Sequence, residues 1–181
     1  MDLAPRGASS ARAAFTLLEV LVVITIIAIL AGLVVGVGRR ASESGMIARV
    51  RAELAVLSTA LETYKRAYGD YPRTGDGAKL VQALLGRKGP TDQDIAGRSL
   101  LEVTRFTFAN SADPTTNPAA VLVDPWGQPY VYAYRTEAPW SNSSHVLYSM
   151  GPDGNDFSRL LTGGFPDASN PANLDNLYAN R

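Results

Sequence analysis

The chain has 181 residues, with 17 basic and 17 acidic side chains, one histidine and no cysteine. This length corresponds to one ordinary domain, or to one domain with an appendage. A formal net charge of zero argues against a dedicated nucleic-acid-binding protein, because such proteins normally carry a strong excess of basic residues. The lack of cysteine excludes disulfides, thiolate zinc sites, iron–sulfur clusters and a cysteine nucleophile.

A long apolar run follows the short polar segment at the start of the chain. It occupies residues 15–38 and ends at Arg39 and Arg40. As an α-helix rising about 1.5 Å per residue, it would be about 36 Å long, enough to cross a hydrocarbon core of roughly 30 Å. Gly32 and Gly36 within it are compatible either with close helix packing or with local weakening of the helix. Since the run is too long for the apolar region of a secretory signal, it predicts a single-pass membrane anchor.

One charged residue, Glu19, lies inside this apolar run. A carboxylate in a membrane helix costs on the order of 2–3 kcal/mol or more unless it is paired, so such a residue is a functional candidate that needs a partner. No basic residue lies one helical turn before or after it in the sequence. Cleavage before Phe15 would create an α-amino group one turn from Glu19, and this amine on a neighbouring copy could supply the missing cation.

The segment FTLLEVLVVITIIAIL resembles the class III signal of type IV pilins and type II secretion pseudopilins. The resemblance implies that a prepilin peptidase cuts between Ala14 and Phe15 and methylates the new amine. It also implies that Glu19, at the fifth position of the mature chain, guides subunit docking. The family prefers glycine before the cut, where this chain has alanine. Residues 1–14 would then be a leader peptide, and residues 15–38 the transmembrane half of a long helix.

The sequence becomes amphipathic after the apolar run. Apolar residues recur at alternating spacings of three and four, which predicts one apolar stripe on an α-helix: Ile47, Val50, Leu54, Leu57, Leu61, Tyr64 and Tyr68. A coiled coil and a helix packed on a small sheet both fit this spacing, and the short length of the repeat favours the packed helix. Gly69 and Pro72 end the helix, so its amphipathic half covers residues 39–68.

Residues 69–181 predict a globular head. Asp76-Gly77 begins a short apolar helical pattern. Residues 87–120 are rich in Gly, Asp, Pro, Thr and Asn and predict a long loop, with a short strand near 100–103 or 105–108. So long a loop is either a plain surface excursion or a contact surface.

The second part of the head predicts a small antiparallel sheet. Residues 128–135 and 145–150 alternate between apolar and polar side chains as strands do. Residues 124–127, Asp-Pro-Trp-Gly, suit a type I turn that follows the apolar residues 121–123, and Trp126 is interpreted as a core residue. The predicted fold class is therefore α+β, with the long helix packed on this sheet.

The order YKRAYGDYP, DPWGQPYVY and YSMGPDG is similar to the major pseudopilins of type II secretion, which implies a pilin-like fold. Type IV pilins usually close their C-terminal loop with a disulfide, so the lack of cysteine favours the pseudopilin branch. Oxygen-bearing side chains are concentrated in residues 151–177. Turns of this composition are usually only turns, but the resemblance implies that the loop binds one calcium ion, with these candidate ligands: Asp153, Asn155, Asp156 and Asp175.

The resemblance implies a structural subunit, a homopolymer filament in the periplasm, and a precursor in the inner membrane with its N-terminus cytoplasmic and its head periplasmic. The implied partners are further copies of the chain, prepilin peptidase, an inner-membrane platform protein, a cytoplasmic assembly ATPase, minor pseudopilins and membrane lipid, with no nucleic acid. No catalytic motif appears in the sequence, so no enzyme activity is expected. His145 is interpreted as structural, and Glu53 and Glu62 as solvated charges.

Three alternatives remain open from the sequence. Two belong to the same class, a minor pseudopilin and a type IV pilin subunit. The third is a monomeric membrane-anchored periplasmic binding module, whose head would capture a ligand through the loop at residues 87–120.

Overall fold

The computed structural model describes residues 15–179, without the side chains of residues 33–40. The predicted leader, residues 1–14, therefore lies outside the described residues, as do the side chains of Arg39 and Arg40 and the surroundings of Gly36. The chain divides into two compact units, Met1–Ser42 and Glu43–Arg181.

The first helix, α1, spans Leu17–Tyr68. In the first unit, all side chains of residues 15–32 are exposed. No helix in the part of the chain that the structure describes combines the length and the apolarity needed to cross a membrane. The predicted transmembrane half, residues 15–38, extends into positions whose side chains lie outside this part, so it stays a prediction.

In the second unit, the predicted apolar stripe of α1 is confirmed. Five of its residues are at most 2 % exposed, namely Val50, Leu54, Leu57, Leu61 and Tyr64, and they belong to the main core of the head. The helix packs on the head because this face of α1 meets apolar side chains from the sheet, among them Tyr132 and Leu147. The packed-helix interpretation is therefore confirmed, and the coiled coil is not needed to bury the stripe.

The second helix, α2, spans Gly77–Leu84. Asp76 caps it, accepting hydrogen bonds from the amides of Ala78 at 2.8 Å and Lys79 at 3.4 Å. An aspartate in this position satisfies amide groups that have no partner inside the helix. The short helix predicted from Asp76-Gly77 is confirmed.

The segment predicted as a long loop is partly ordered on the core. A strand forms at the second of the two predicted positions, Thr107–Phe108, and a 3-10 turn at Val103–Arg105 follows the first. No strand forms at 100–103, where the carbonyl and the amide of Leu101 are both hydrogen-bonded to the Ser99 hydroxyl. Arg87 ties the loop to the end of α2 through the carbonyl groups of the residues at 114 and 115.

The strands are short and lie in three small antiparallel sheets within the described residues. Their bounds are β1 Thr107–Phe108, β2 Leu122–Val123, β3 Val131–Ala133, β4 Val146–Ser149, β5 Leu160–Leu161, β6 Phe165–Pro166 and β7 Leu177–Tyr178. β1 pairs with β2, β5 pairs with β6, and the central sheet has the order β3–β4–β7. In its register, Tyr148 lies opposite both Val131 and Tyr178.

The predicted α+β architecture is confirmed, with shorter strands than expected. The ladder of β3 covers only part of 128–135, although Tyr130, Tyr132 and Tyr134 are all buried, as the alternation predicted. The segment after residue 150, for which the sequence predicted turns and no strand, contributes β5, β6 and β7. Two-residue strands carry no periodicity, so only their pairing with other segments defines them.

Candidate functional site

Thr16 and Glu19 form a reciprocal cap at the N-terminus of α1. The amide and hydroxyl of Thr16 each donate a hydrogen bond of 2.9 Å to the Glu19 carboxylate. The amide of Glu19 donates in return to the Thr16 hydroxyl at 3.2 Å. This arrangement is a capping box, in which a threonine at the N-cap and a glutamate three residues later satisfy each other's backbone groups. Glu19 therefore has polar partners within its own chain, although no basic residue in the part of the chain that the structure describes is paired with it.

The cap was missed in the sequence-based prediction, although its Thr-x-x-Glu spacing is a recognised sign of a helix start. It lies among exposed apolar side chains. Phe15 is 79 % exposed, Leu17 85 % and Leu18 70 %. A contiguous apolar surface of this kind indicates contact with another protein or with a membrane. The carboxylate predicted to act in assembly is thus held at the edge of an uncovered apolar surface.

The loop after β4 holds the second group of predicted residues. The Asp153 amide donates to the Asp175 carboxylate at 3.2 Å, which joins the two ends of the predicted calcium loop. Asn155 donates to the Asp153 carboxylate from its amide at 2.8 Å and from its side chain at 3.1 Å. These two hydrogen bonds hold the pKa of the Asp153 carboxyl below its usual value. Asp153, Asn155 and Asp175 are therefore brought together.

The fourth predicted ligand, Asp156, lies in a different set of contacts. Its carboxylate accepts hydrogen bonds from the Tyr148 hydroxyl at 3.0 and 3.1 Å and from the Asn176 side-chain amide at 3.2 Å. The amide oxygen of Asn176 is buried and has no hydrogen-bond partner among the described residues. Asn176, which is not among the predicted ligands, is a further candidate oxygen donor.

The donor atoms of this loop have the chemistry that calcium prefers. Calcium binds about six to eight hard oxygen atoms from carboxylates, amides and backbone carbonyls, and Asp153, Asp175 and the free oxygen of Asn176 are of these kinds. The donors lie as two neighbouring groups, and nowhere in the described residues do three His, Cys, Asp or Glu side chains lie close enough together to hold a metal ion. Their chemistry fits the ion, while full coordination needs amide and backbone oxygens as well.

Glu53 and Glu62 of α1 were predicted to be solvated charges, but both carboxylates contact other side chains of the protein. Glu53 is buried, which corrects the prediction, and Glu62 accepts a hydrogen bond from the Tyr71 hydroxyl. Glu53 is bonded to Arg49 at 2.7 Å and to the Tyr130 hydroxyl at 2.6 Å. A buried charge is tolerated when it is paired and hydrogen-bonded in this way. Both residues support the fold and show no paired-carboxylate geometry.

Two family models match the chain. The prokaryotic N-terminal methylation motif matches residues 9–35, and type II secretion system (T2SS) protein G matches residues 39–159, well over half of the chain. The chain belongs to the type II secretion protein G family. The match to the methylation motif includes the predicted cleavage point and Glu19, and indicates processing by a prepilin peptidase.

Relatives of the protein G family support the same assignment over most of the chain. The type II secretion system core protein G of Pseudomonas aeruginosa is 28 % identical over 166 residues, covering 91 % of this chain and 96 % of the relative. The core protein G of Escherichia coli is 33 % identical over 150 residues, covering 81 % and 86 %. That of Klebsiella pneumoniae is 31 % identical over 147 residues, covering 77 % and 84 %. No solved structure matches the chain significantly.

Membership of the protein G family confirms the resemblance to major pseudopilins and the pilin-like fold. It favours this family over the minor pseudopilin and the type IV pilin that the sequence had left open. The protein G family consists of structural pseudopilins and is not known for enzymes. The bond cut by the peptidase, the role of Glu19 and the calcium ligands stay predictions.

Proposed function

We propose that the chain is a precursor that prepilin peptidase cleaves between Ala14 and Phe15, and that the mature subunit polymerises into a periplasmic pseudopilus that helps to export folded proteins. The observation that supports this most is the position of Glu19. Its carboxylate is held by the Thr16 cap at the start of a helix whose surrounding side chains are apolar and exposed. In a monomeric anchor this carboxylate would serve only the cap, whereas in a filament it can also pair with a cation on a neighbouring copy.

The apolar segment at residues 15–38 serves the subunit in two states. Before assembly it lies in the inner membrane, with the N-terminus cytoplasmic and the head periplasmic, and its apolar side chains contact lipid. In the filament the same side chains contact neighbouring copies of the chain. Apolar surface stays covered in both states, so extraction from the bilayer exchanges lipid contacts for protein contacts.

Glu19 determines how an incoming subunit is aligned with its neighbour in the filament. Cleavage and methylation leave a cation on Phe15, and this cation on one copy pairs with Glu19 of an adjacent copy. In an apolar environment the attraction between the two charges is much stronger than in water. The hydrogen bonds from Thr16 partly satisfy the carboxylate until that partner arrives, which lowers the cost of holding it in the membrane.

The other components are those that the resemblance to pseudopilins implies. The sequence of this chain contains no phosphate-binding glycine loop, so the energy for assembly is external, and we assign it to a cytoplasmic ATPase that acts through an inner-membrane platform protein. Minor pseudopilins begin the filament. The chain itself acts as a structural subunit without catalysis.

One calcium ion in the loop at residues 151–177 completes the proposed function. Asp153 and Asp175 supply carboxylates, Asn176 supplies an amide oxygen, and Asn155 and Asp156 lie beside them. The bound ion joins the segment after β4 to the segment before β7. Because a metal that binds only the folded loop adds to its stability, calcium takes the place of the disulfide that this chain does not have.

Substitution of Glu19 tests the assembly role. We expect Glu19→Ala to abolish pseudopili while the chain still inserts into the membrane. The matched control is Glu43→Ala, at an exposed glutamate on α1 outside the motif, which should assemble normally. Normal filaments from Glu19→Ala would contradict the assembly role of Glu19, and a wild-type chain that forms no filaments would support the monomeric membrane-anchored binding module instead. The N-terminal sequence of the mature protein should begin at Phe15, and a mature protein that keeps residues 1–14 would contradict the proposal.

A further inference from the structure

A buried hydrogen-bond relay connects the turn after β2 with the loop after β4. Asp124 is 2 % exposed and Ser149 is fully buried. One carboxylate oxygen of Asp124 accepts from the amides of Trp126 at 3.0 Å and Gln128 at 2.9 Å. The other accepts from the Ser149 hydroxyl at 2.6 Å, and the oxygen of that hydroxyl accepts from the Gly151 amide at 3.2 Å.

The direction of this relay follows from the atoms in it. A carboxylate only accepts hydrogen bonds, and a serine hydroxyl has a single proton to donate. The Ser149 proton therefore points to Asp124, and a lone pair of the same oxygen is left for the Gly151 amide. Each group has the partner it needs without access to water.

The relay ends where the proposed calcium loop begins. Gly151 has a φ of +75°, and a Cβ atom placed there would lie only 2.5 Å from the backbone oxygen and 2.7 Å from the carboxylate of Asp175. Glycine is needed because no side chain fits between the two segments. Without a side chain, Gly151 is held through its backbone, and its amide is the group that the relay binds.

The same turn also comes close to the loop at a second point. A Cβ atom placed at Gly154 would lie 3.1 Å from the side-chain nitrogen of Gln128, so the Gln128 side chain lies near the loop just beyond Asp153. On the opposite side, Ser149 of β4 is paired with Leu177 of β7, which places Asp175 two residues from the ladder. The Asp124 turn and β7 therefore flank the segment that carries Asp153.

We propose that Asp124 and Ser149 are positioning residues for calcium: they hold Gly151, and with it Asp153 against Asp175, in the arrangement that binds the ion. This inference rests on the proposed calcium site. Neither residue contacts the ion itself. Partners that orient metal ligands typically contribute roughly 10–100-fold to affinity, and we expect an effect of this size here.

Two variants of the full-length chain in detergent test the inference. Ser149→Ala removes the hydroxyl. Asp124→Asn keeps the oxygen that caps the turn but places an amide nitrogen, a donor, where the second carboxylate oxygen was. The Ser149 proton then loses its buried acceptor, and the hydrogen bond to a charged group that orients this hydroxyl is lost. The matched control is Asp113→Asn. Asp113 begins the other Asp-Pro turn and accepts from the Thr115 amide at 2.8 Å, but it is exposed and outside the relay.

The readout is the dissociation constant for calcium by titration calorimetry, at a temperature where every variant is folded. We expect it to rise roughly 10–100-fold in both relay variants and to stay unchanged in the control. Wild-type affinity in Asp124→Asn would overturn the inference. So would a melting temperature that falls by the same amount with and without calcium, because that is the result of a purely structural role. If Ser149→Ala does not fold, Asp124→Asn, which preserves shape and turn cap, decides the question.

The same titration separates this inference from the site on which it rests. A wild-type chain that binds no calcium would overturn both the site and the relay's role in it. A wild-type chain that binds calcium, with relay variants that bind it equally well, would leave the site standing and overturn the relay alone.

Discussion

The Tyr130 hydroxyl donates a hydrogen bond of 2.6 Å to the Glu53 carboxylate, and 77 positions of sequence separate the two residues. Glu53 lies on α1 and Tyr130 at the start of the strand region that forms β3. Arg49 neutralises the same carboxylate at 2.7 Å and also donates to Thr107 of β1 at 3.0 Å. One buried charge thus joins the helix to two sheets. Burial, reinforced by this hydrogen bond, raises the pKa of Tyr130, so its hydroxyl stays a donor.

Removal of the Tyr130 hydroxyl should lower the free energy of unfolding more than removal of the buried Tyr132 hydroxyl. Tyr130→Phe removes one hydrogen-bond donor from the buried carboxylate of Glu53. Tyr132→Phe removes a hydrogen bond to the neutral carbonyl of Pro72. Hydrogen bonds to charged groups contribute about 1.5–3 kcal/mol and neutral ones about 0.5–1.5 kcal/mol. We therefore expect denaturant unfolding of the full-length chain in detergent to show the larger loss for Tyr130→Phe.

A double-mutant cycle is the control for the pair. If Glu53 and Tyr130 interact as the geometry shows, Glu53→Gln and Tyr130→Phe together should differ from the sum of the two single changes by about 0.5–3 kcal/mol. Strict additivity would show that the two residues do not stabilise each other.

His145 makes the stability of the head depend on pH. It is 2 % exposed and packs against the rings of Tyr71 and Tyr132, with centroid distances of 4.8 and 5.9 Å. Burial lowers the pKa of His145 from 6.5 to about 4; Glu62 opposes this shift and Lys65 adds to it. Between these two values the unfolded chain binds a proton that the folded chain does not.

The free energy of unfolding should therefore fall as the pH falls from 6.5 to about 4. The expected slope approaches about 1.4 kcal/mol per pH unit for one proton. In His145→Gln this slope should disappear, whatever the absolute stability of the variant. Urea unfolding at several pH values measures it, and an unchanged profile in His145→Gln would show that another group titrates in this range.

Asp70 titrates in a separate, more acidic range and serves as the internal control. Its burial acts to raise the pKa of its carboxyl, but hydrogen bonds from Tyr134, Arg73 and the Tyr71 amide outweigh burial and hold the pKa below 3.8. Stabilisation from a lowered pKa is present above about pH 4 and is lost as the pH falls further. Asp70→Asn should therefore change only the acid end of the profile and leave the range of His145 intact.

The contribution of the Thr16–Glu19 cap to the stability of the first turn of α1 should be measurable in the unassembled subunit. Thr16→Val removes the hydroxyl that bonds with Glu19, while Thr16→Ser keeps it. The loss of such a cap costs about 1 kcal/mol, which corresponds to an increase of about fivefold in the hydrogen exchange of amides in the first turn. We expect this increase in detergent micelles for Thr16→Val alone. Equal exchange in the two variants would show that Thr16 does not cap the helix.

Calcium should stabilise the chain through Asp175 and not through Asp167. At about 100 times its dissociation constant, a ligand that binds only the folded state adds about 2.7 kcal/mol. Chelation should therefore lower the melting temperature of the wild type, and Asp175→Asn should remove most of this effect. The Asp167 carboxylate is already used by Ser169 in its own turn, so Asp167→Asn is the matched control. A melting temperature that does not respond to chelation would rule out the ion.

Patterns among residues that are close together in the sequence were enough to predict the helices and the family. The stripe from Val50 to Tyr64 could be predicted because a helix repeats every 3.6 residues, so its buried face appears as a regular spacing. The start of α2 at Asp76 and the Phe15–Glu19 motif are also contained within a few neighbouring residues. Each of these features depends on positions that are close along the chain.

The tertiary structure alone decided the features that join distant segments. The burial of Glu53, the strand at Leu177–Tyr178, and the relay from Asp124 through Ser149, 25 positions apart, all depend on which segments meet. A carboxylate or a two-residue strand has no periodicity to reveal its partner, and its environment is created only when the chain packs. The physical reason is that hydrogen bonds and burial act over a few ångströms of space, whatever the distance along the sequence.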